Sequence, residues 1–203
     1  MQVIFVPTKC AEKLSERPHN VPYQIRRKPD RRRFPLVEST VGRSKLNRIG
    51  QITLRKAAVE DAPTILRLMR AAFEEYEGVL DPPSGAYQET IDSVRRNIGT
   101  GAVMAVVADE PAGFAFYKPR DGLLYFGRLS VLPQFRNQGV GTALLDYVER
   151  VAKDTGAGGV SLGVRVQLPH LLERYQRLGY RVMNHMTHEG YTRPTWLYLE
   201  KRF

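Results

Sequence analysis

The chain has a single cysteine, Cys10, in 203 residues. That excludes an internal disulfide, and a reducing compartment, the cytoplasm, is expected. Histidine is also scarce, with four residues at positions 19, 170, 185 and 188. His185 and His188 have no cysteine or second histidine pair beside them, so no metal site is expected. There is no run of 18 or more apolar residues, so no membrane-spanning helix and no membrane partner are expected. The opening Met1-Gln2-Val3-Ile4-Phe5-Val6-Pro7 lacks a basic lead and is too short for a signal-peptide core. No internal repeat is visible.

What is present fits one domain with an extension. Hydrophobic residues make up 42% of the chain, enough for a core. The net charge of +10 is unevenly spread. Residues 1–50 hold 12 Lys/Arg and 4 Asp/Glu, whereas residues 51–203 hold 19 and 17. The basic character therefore belongs to an N-terminal arm, residues 1–49, and the domain of residues 50–203 is close to neutral. Arg26-Arg27-Lys28 and Arg31-Arg32-Arg33 flank Pro29 and Asp30. Such a run is either a solvated, poorly ordered tail or an arm that touches nucleic acid or anionic lipid. It has no interleaved aromatics beyond Tyr23 and Phe34, which argues against a stacking platform.

Periodicity gives the elements. Gln51–Arg55 alternates as a strand, and a short strand at Val3–Val6 is conceivable before it. Asp61 can cap a helix with Pro63 in its first turn, whose stripe is Ile65, Leu66, Leu68, Met69, Ala72, Phe73 and Tyr76. A loop at Leu80–Gly85 precedes a weaker helix over Tyr87–Ile98. Strands follow at Val103–Ala108, Ala112–Lys118 and Leu123–Val131, turned by Asp109-Glu110-Pro111 and Arg120-Asp121-Gly122. A helix over Thr142–Asp154, ended by Gly156, leads to a strand at Val160–Val166. A helix from Pro169 to Leu178 comes next, and strands Tyr180–Met186 and Trp196–Lys201 close the chain. The order predicts an α/β fold, a central mixed β-sheet flanked by helices.

The most informative stretch is Val131-Leu132-Pro133-Gln134-Phe135-Arg136-Asn137-Gln138-Gly139-Val140-Gly141-Thr142. A strand stops at Pro133, and a basic residue leads into two glycines one residue apart. A helix then begins. The first helical N–H groups lack partners and point out at the positive end, and glycine lets an anion approach the backbone. The stretch is a diphosphate cradle or a plain strand-to-helix turn. It is neither a P-loop, for no Lys-Ser/Thr pair follows, nor a dinucleotide loop, for Leu144 stands at the third glycine's place.

Arg136-x-x-Gly139-x-Gly141 resembles the acyl-CoA signature of the GCN5-related N-acetyltransferase (GNAT) family. A second block, Tyr175-Gln176-Arg177-Leu178-Gly179-Tyr180, is similar to that family's Tyr-x-x-Leu-Gly-Phe/Tyr. The resemblance covers about residues 51 to 203 and implies acetyl-CoA as cosubstrate and an amine, on a small molecule or a protein, as acceptor. It assigns the diphosphate to Arg136, Asn137, Gln138, Gly139, Val140, Gly141 and Thr142. It assigns the pantetheine arm to the edge of Leu129, Ser130 and Val131, and the thioester sulfur to Tyr175, which otherwise is a plain core residue. Many relatives carry a glutamate on the strand before the loop, and Leu123–Val131 has none. Glu74, Glu75, Glu77 and Asp81 are substitutes for that base or solvated surface charges. Arg165-x-x-Leu168-Pro169 and the His188–Thr195 segment resemble a subset of the family and border the acceptor or merely connect strands. A non-catalytic acyl-CoA-binding regulator and a homodimer both remain open.

Overall fold

The computed structural model describes residues 51–203. The arm and the strand at Val3–Val6 lie outside the described residues. Seven strands form one sheet: β1 (Ile52–Lys56), β2 (Ala102–Val107), β3 (Glu110–Arg120), β4 (Leu123–Val131), β5 (Gly159–Arg165), β6 (Arg181–Met186) and β7 (Trp196–Arg202). Their spatial order is β1-β2-β3-β4-β5-β7-β6. Every neighbouring pair is antiparallel except β4–β5. A parallel pair needs a crossover, and α3 (Val140–Asp154) provides it.

Tight turns join β2 to β3 and β3 to β4. Ala108 and Asp109 have φ of 48° and 62°, and Asp121 and Gly122 have 51° and 75°. Positive φ at both central residues matches the twist of the flanking strands. The first turn is thus Ala108-Asp109 rather than Asp109-Glu110-Pro111. Pro111, which has no N–H to give, sits next to a register shift opposite Ala105 and Val106.

The helices cover the sheet. α1 (Ala62–Phe73) buries Ile65, Leu66, Leu68, Met69, Ala72 and Phe73. Each large side chain among these contributes about 1.5–3 kcal/mol by leaving water. Tyr76 continues the stripe in a short turn after the helix. Asp61 stands at the N-cap of α1 without bonding to the helix. Its carboxylate instead accepts from the Ala58 N–H at 2.8 Å and from Arg55 at 2.7 and 2.8 Å.

The second helix, α2 (Ile91–Thr100), begins later than its periodicity suggested. Thr90 and Ser93 form a reciprocal capping box, Thr90 Oγ1 accepting from Ser93 N–H at 3.2 Å and Ser93 Oγ from Thr90 N–H at 2.8 Å. Gly85–Gln88 before it is a separate short turn. α3 ends in a Schellman motif: Gly156 has φ of 74°, its N–H donates to the Lys153 carbonyl, and Ala157 N–H to that of Ala152. α3 packs on β1 through β5, and α4 (Pro169–Arg177) packs on β5.

Candidate functional site

β4 is buried along its whole length, yet it pairs with β5 over only three residues: Leu124↔Val160, Tyr125↔Ser161 and Phe126↔Leu162. Beyond that point β4 stays with β3 as far as Val131↔Gly113, and β5 stays with β7 as far as Arg165↔Trp196. The two strands therefore part and leave a wedge edged by backbone. A bulge drives the parting. Phe116 faces Gly127 and Phe114 faces Ser130, so Arg128 and Leu129 together oppose Ala115. Arg128 takes φ of 52°, rare for a residue with a Cβ.

The bulged arginine is held by charge. Arg128 NH2 meets Glu89 Oε1 at 3.1 Å, with side chains 3% and 10% exposed. Burial pulls the Arg128 guanidinium below its usual range, and the Glu89 carboxylate opposes that. Ser130 Oγ donates to the Arg128 carbonyl at 3.1 Å. No motif announced Glu89; only its place at the end of a polar loop before a capped helix could have drawn notice.

The wedge leads from β4 to the start of α3. Here the helix begins at Val140, two residues before Thr142. Gly139 is its N-cap with φ of 88°, so the glycine is required by conformation rather than by space. The first intrahelical bond runs from Ala143 N–H to the Gly139 carbonyl at 2.9 Å. The N–H groups of Val140, Gly141 and Thr142 thus have no helical acceptor. A cleft of about 270 Å³ faces them, lined by Val131, Arg136, Asn137, Gly139, Gly141, Thr142 and Arg174. Leu129 and Ser130 sit on the strand just before it, and Gln138 turns its amide back onto the Gln134 carbonyl at 2.6 Å.

Arg136 does not stand free in this cleft. It meets Glu75 at 2.7 Å and donates to the Ala72 and Val131 carbonyls at 3.3 and 3.2 Å. It fastens the end of α1 to the end of β4. Arg174, which sequence reasoning passed over, reaches from α4 to Thr142 Oγ1 at 3.2 Å. No motif marks it, since its place is the residue before the block's tyrosine.

The second block has a structural reason. Gly179 has φ of 89°; its N–H donates to the Gln176 carbonyl, and Tyr180 N–H to that of Tyr175 at 3.0 Å. This is again a Schellman cap, and the Tyr175 and Tyr180 rings meet edge-on at 5.7 Å across it. The cap fixes Tyr175, which is fully buried, and among the described residues its hydroxyl has no hydrogen-bond partner. Burial raises that hydroxyl well above its ordinary pKa, against the pull of the Arg174 charge.

The acidic substitutes are dispersed. Glu74 and Glu77 are exposed, and Glu75 serves Arg136. Asp81 accepts a hydrogen bond from the Tyr191 hydroxyl. Across the same region Arg165 donates to the Pro82 and Thr195 carbonyls at 2.7 and 3.1 Å, and Gln167 to the Asp81 carbonyl at 2.7 Å. The loop after α1 is thereby tied to the β6–β7 connection. Among the described residues no group of three or more His, Cys, Asp or Glu side chains could hold a metal ion. None of the described helices is long and apolar enough to cross a membrane.

A cleft on a glycine-started helix thus lies beside a parted parallel pair. The family model for the acetyltransferase (GNAT) family matches residues 64–180. The chain belongs to that family. It is an acyltransferase that depends on acetyl-CoA. It is 28% identical over 97 residues to an uncharacterized N-acetyltransferase, YjcF, of Bacillus subtilis (strain 168), a match spanning 48% of this chain and 66% of that protein. It is 28% identical over 148 residues to an S-alkylcysteine N-acetyltransferase of the same organism, spanning 67% and 82%. The fold resembles the PaiA N-acetyltransferase from Thermoplasma acidophilum in complex with coenzyme A, at TM-score 0.65 and 19% identity, over 75% of this chain and 99% of that one.

Proposed function

We propose that this GNAT protein moves the acetyl group of acetyl-CoA to a primary amine by direct attack within a ternary complex. One observation carries the reading: the cleft at the start of α3 faces amides with no helical acceptor, beside the end of β4 that β5 leaves unpaired. The open edge of β4, the amides of Val140 to Thr142 and the partnerless Tyr175 hydroxyl are each costly to leave unmet. A ligand with a diphosphate, two amides and a sulfur would satisfy all three. When bound, acetyl-CoA supplies an activated acyl thioester.

Each residue then has a task. The α3 amides hold the diphosphate. Leu129, Ser130 and Val131 offer backbone to the pantetheine amides as an added strand would. Tyr175 donates a hydrogen bond to the departing sulfur. Because burial raises its hydroxyl, Tyr175 keeps its proton and acts as a donor that tightens as sulfur gains charge.

The amine must arrive uncharged. An alkyl amine has a pKa near 10.4, so only about one molecule in a thousand is neutral at pH 7. β4 carries no carboxylate, and Glu89 is committed to Arg128, which makes it a poor base. We place the acceptor entry between the Asp81–Tyr191 contact and the parted strands. Cys10 is the chain's one cysteine and lies outside the matched motifs, so no acetyl-cysteine intermediate is invoked.

The test is release of free thiol from acetyl-CoA over a panel of small primary amines and peptide α-amines. Amine-dependent release that survives Cys10→Ser supports direct attack. CoA binding without amine-dependent release would make the protein a non-catalytic acyl-CoA binder.

A further inference from the structure

The arginine that the motif brings to the cleft is already matched. Glu75 pairs with Arg136, and two carbonyls take two more of its N–H donors. Arg174 is in the opposite condition. Its guanidinium lies against Thr142, in the first turn of the 15-residue α3. That is the positive end of the helix, where a cation is disfavoured. Among the described residues no carboxylate lies within ion-pair distance of Arg174. Its Nε is buried and, among the described residues, has no hydrogen-bond partner. An unmatched cation and a helix N-terminus thus face one cleft. A bound anion relieves both.

We propose that Arg174, rather than Arg136, is the side chain that binds the diphosphate of the cosubstrate. The assignment rests on the acetyl-CoA reading of the cleft. A planar guanidinium suits phosphate oxygens better than a point charge does. Arg136 is a positioning residue, joining α1 to the end of β4 so that the glycine loop keeps its shape.

Calorimetric titration of the full chain with CoA and with 3′-dephospho-CoA tests this. Arg174→Met should weaken both ligands by about tenfold or more, the loss of one charge-assisted contact. It should also flatten the salt dependence of binding. Without ligand the variant should melt no lower than the parent, because a cation at a helix N-terminus has been removed. Arg136→Gln should do the reverse, lowering the melting temperature and costing far less affinity. An Arg174→Met chain that binds CoA like the parent overturns the assignment alone. So does a loss for CoA that 3′-dephospho-CoA does not share, which moves the contact to the 3′-phosphate. A variant that fails to fold also contradicts it, since the argument makes this cation a burden on the free protein. A parent that binds neither ligand overturns the acetyl-CoA reading and this assignment with it.

Discussion

Tyr175 carries its hydroxyl into the core beside α3, and among the described residues nothing receives it. A buried hydroxyl left unsatisfied costs about 1–3 kcal/mol, so it weakens the free protein. Tyr175→Phe should therefore lower turnover by about ten- to a thousandfold, as loss of a transition-state donor does. Acetyl-CoA affinity should change little, and the melting temperature should hold or rise. A parent-like kcat, measured beside a thermal melt, rejects the role. His188 makes a different residue-level case. Its Nδ1 lies 2.5 Å from Thr195 Oγ1, and burial, followed by the Arg165 charge, lowers its pKa from 6.5. The unfolded chain then binds more protons than the folded one between 6.5 and that lower folded value. Stability is full above pH 6.5 and declines as pH falls through that window. His188→Asn should flatten this decline in urea unfolding curves taken from pH 7.5 to 5; an unchanged slope contradicts it. At this scale the sequence marked backbone duties better than side-chain duties. Gly139 announces an amide cradle because its φ of 88° favours glycine. Arg136 and Arg174 are the same letter, and which one is neutralised depends on Glu75, 61 positions from Arg136.

β4 shows how an element creates a site by failing to pair. Its bulge at Arg128 turns the strand end away from β5 after Phe126↔Leu162. The Arg128–Glu89 pair fastens that turn to the segment entering α2. Removing one partner of such a buried pair strands the other charge and costs about 3–5 kcal/mol. Glu89→Gln should accordingly lose stability of that order by urea unfolding, and acetyl-CoA affinity should fall as the strand end relaxes. Combining it with Arg128→Met should recover most of the stability, since no buried charge then remains unmatched. A single variant as stable as the parent would show that the pair does not hold the bulge. Element types were legible because apolar periods of 2 and 3.6 are local properties. Boundaries were displaced where hydrogen bonds decide them: the Thr90–Ser93 box delays α2, and Gly139 lets α3 start at Val140. The bulge was illegible, for Gly127-Arg128-Leu129 reads as an unbroken strand until β3 supplies the register.

Over the whole molecule, charge and chemistry separate along the chain. Residues 51–203 carry 19 Lys/Arg against 17 Asp/Glu, and residues 1–50 carry 12 against 4. The family match, 64–180, and every residue given a task in the site fall in the near-neutral part. The order of elements along the chain was recoverable in outline from the resemblance, because the two blocks sit one helix, one strand and one helix apart. The ties between the loop after α1 and the β6–β7 connection were not, because Asp81 and Tyr191 are 110 residues apart. The core of the described fold is built from residues between Leu54 and Leu199, with Ile65, Met69, Phe114 and Leu144 fully buried. A chain starting at Gly50 should therefore fold, bind acetyl-CoA as the parent does and acetylate a small amine at a comparable rate. Its net charge drops by all of the arm's excess, 12 Lys/Arg against 4 Asp/Glu, so any binding to duplex DNA or another polyanion should vanish with the arm. Where the parent shows such binding, it should weaken steeply with added salt, because it arises from counterion release by clustered Lys and Arg. Circular dichroism, CoA calorimetry and a salt-series binding assay on both chains check this. A truncated chain that is insoluble, or folded but unable to bind CoA, would make residues 1–49 part of the catalytic domain.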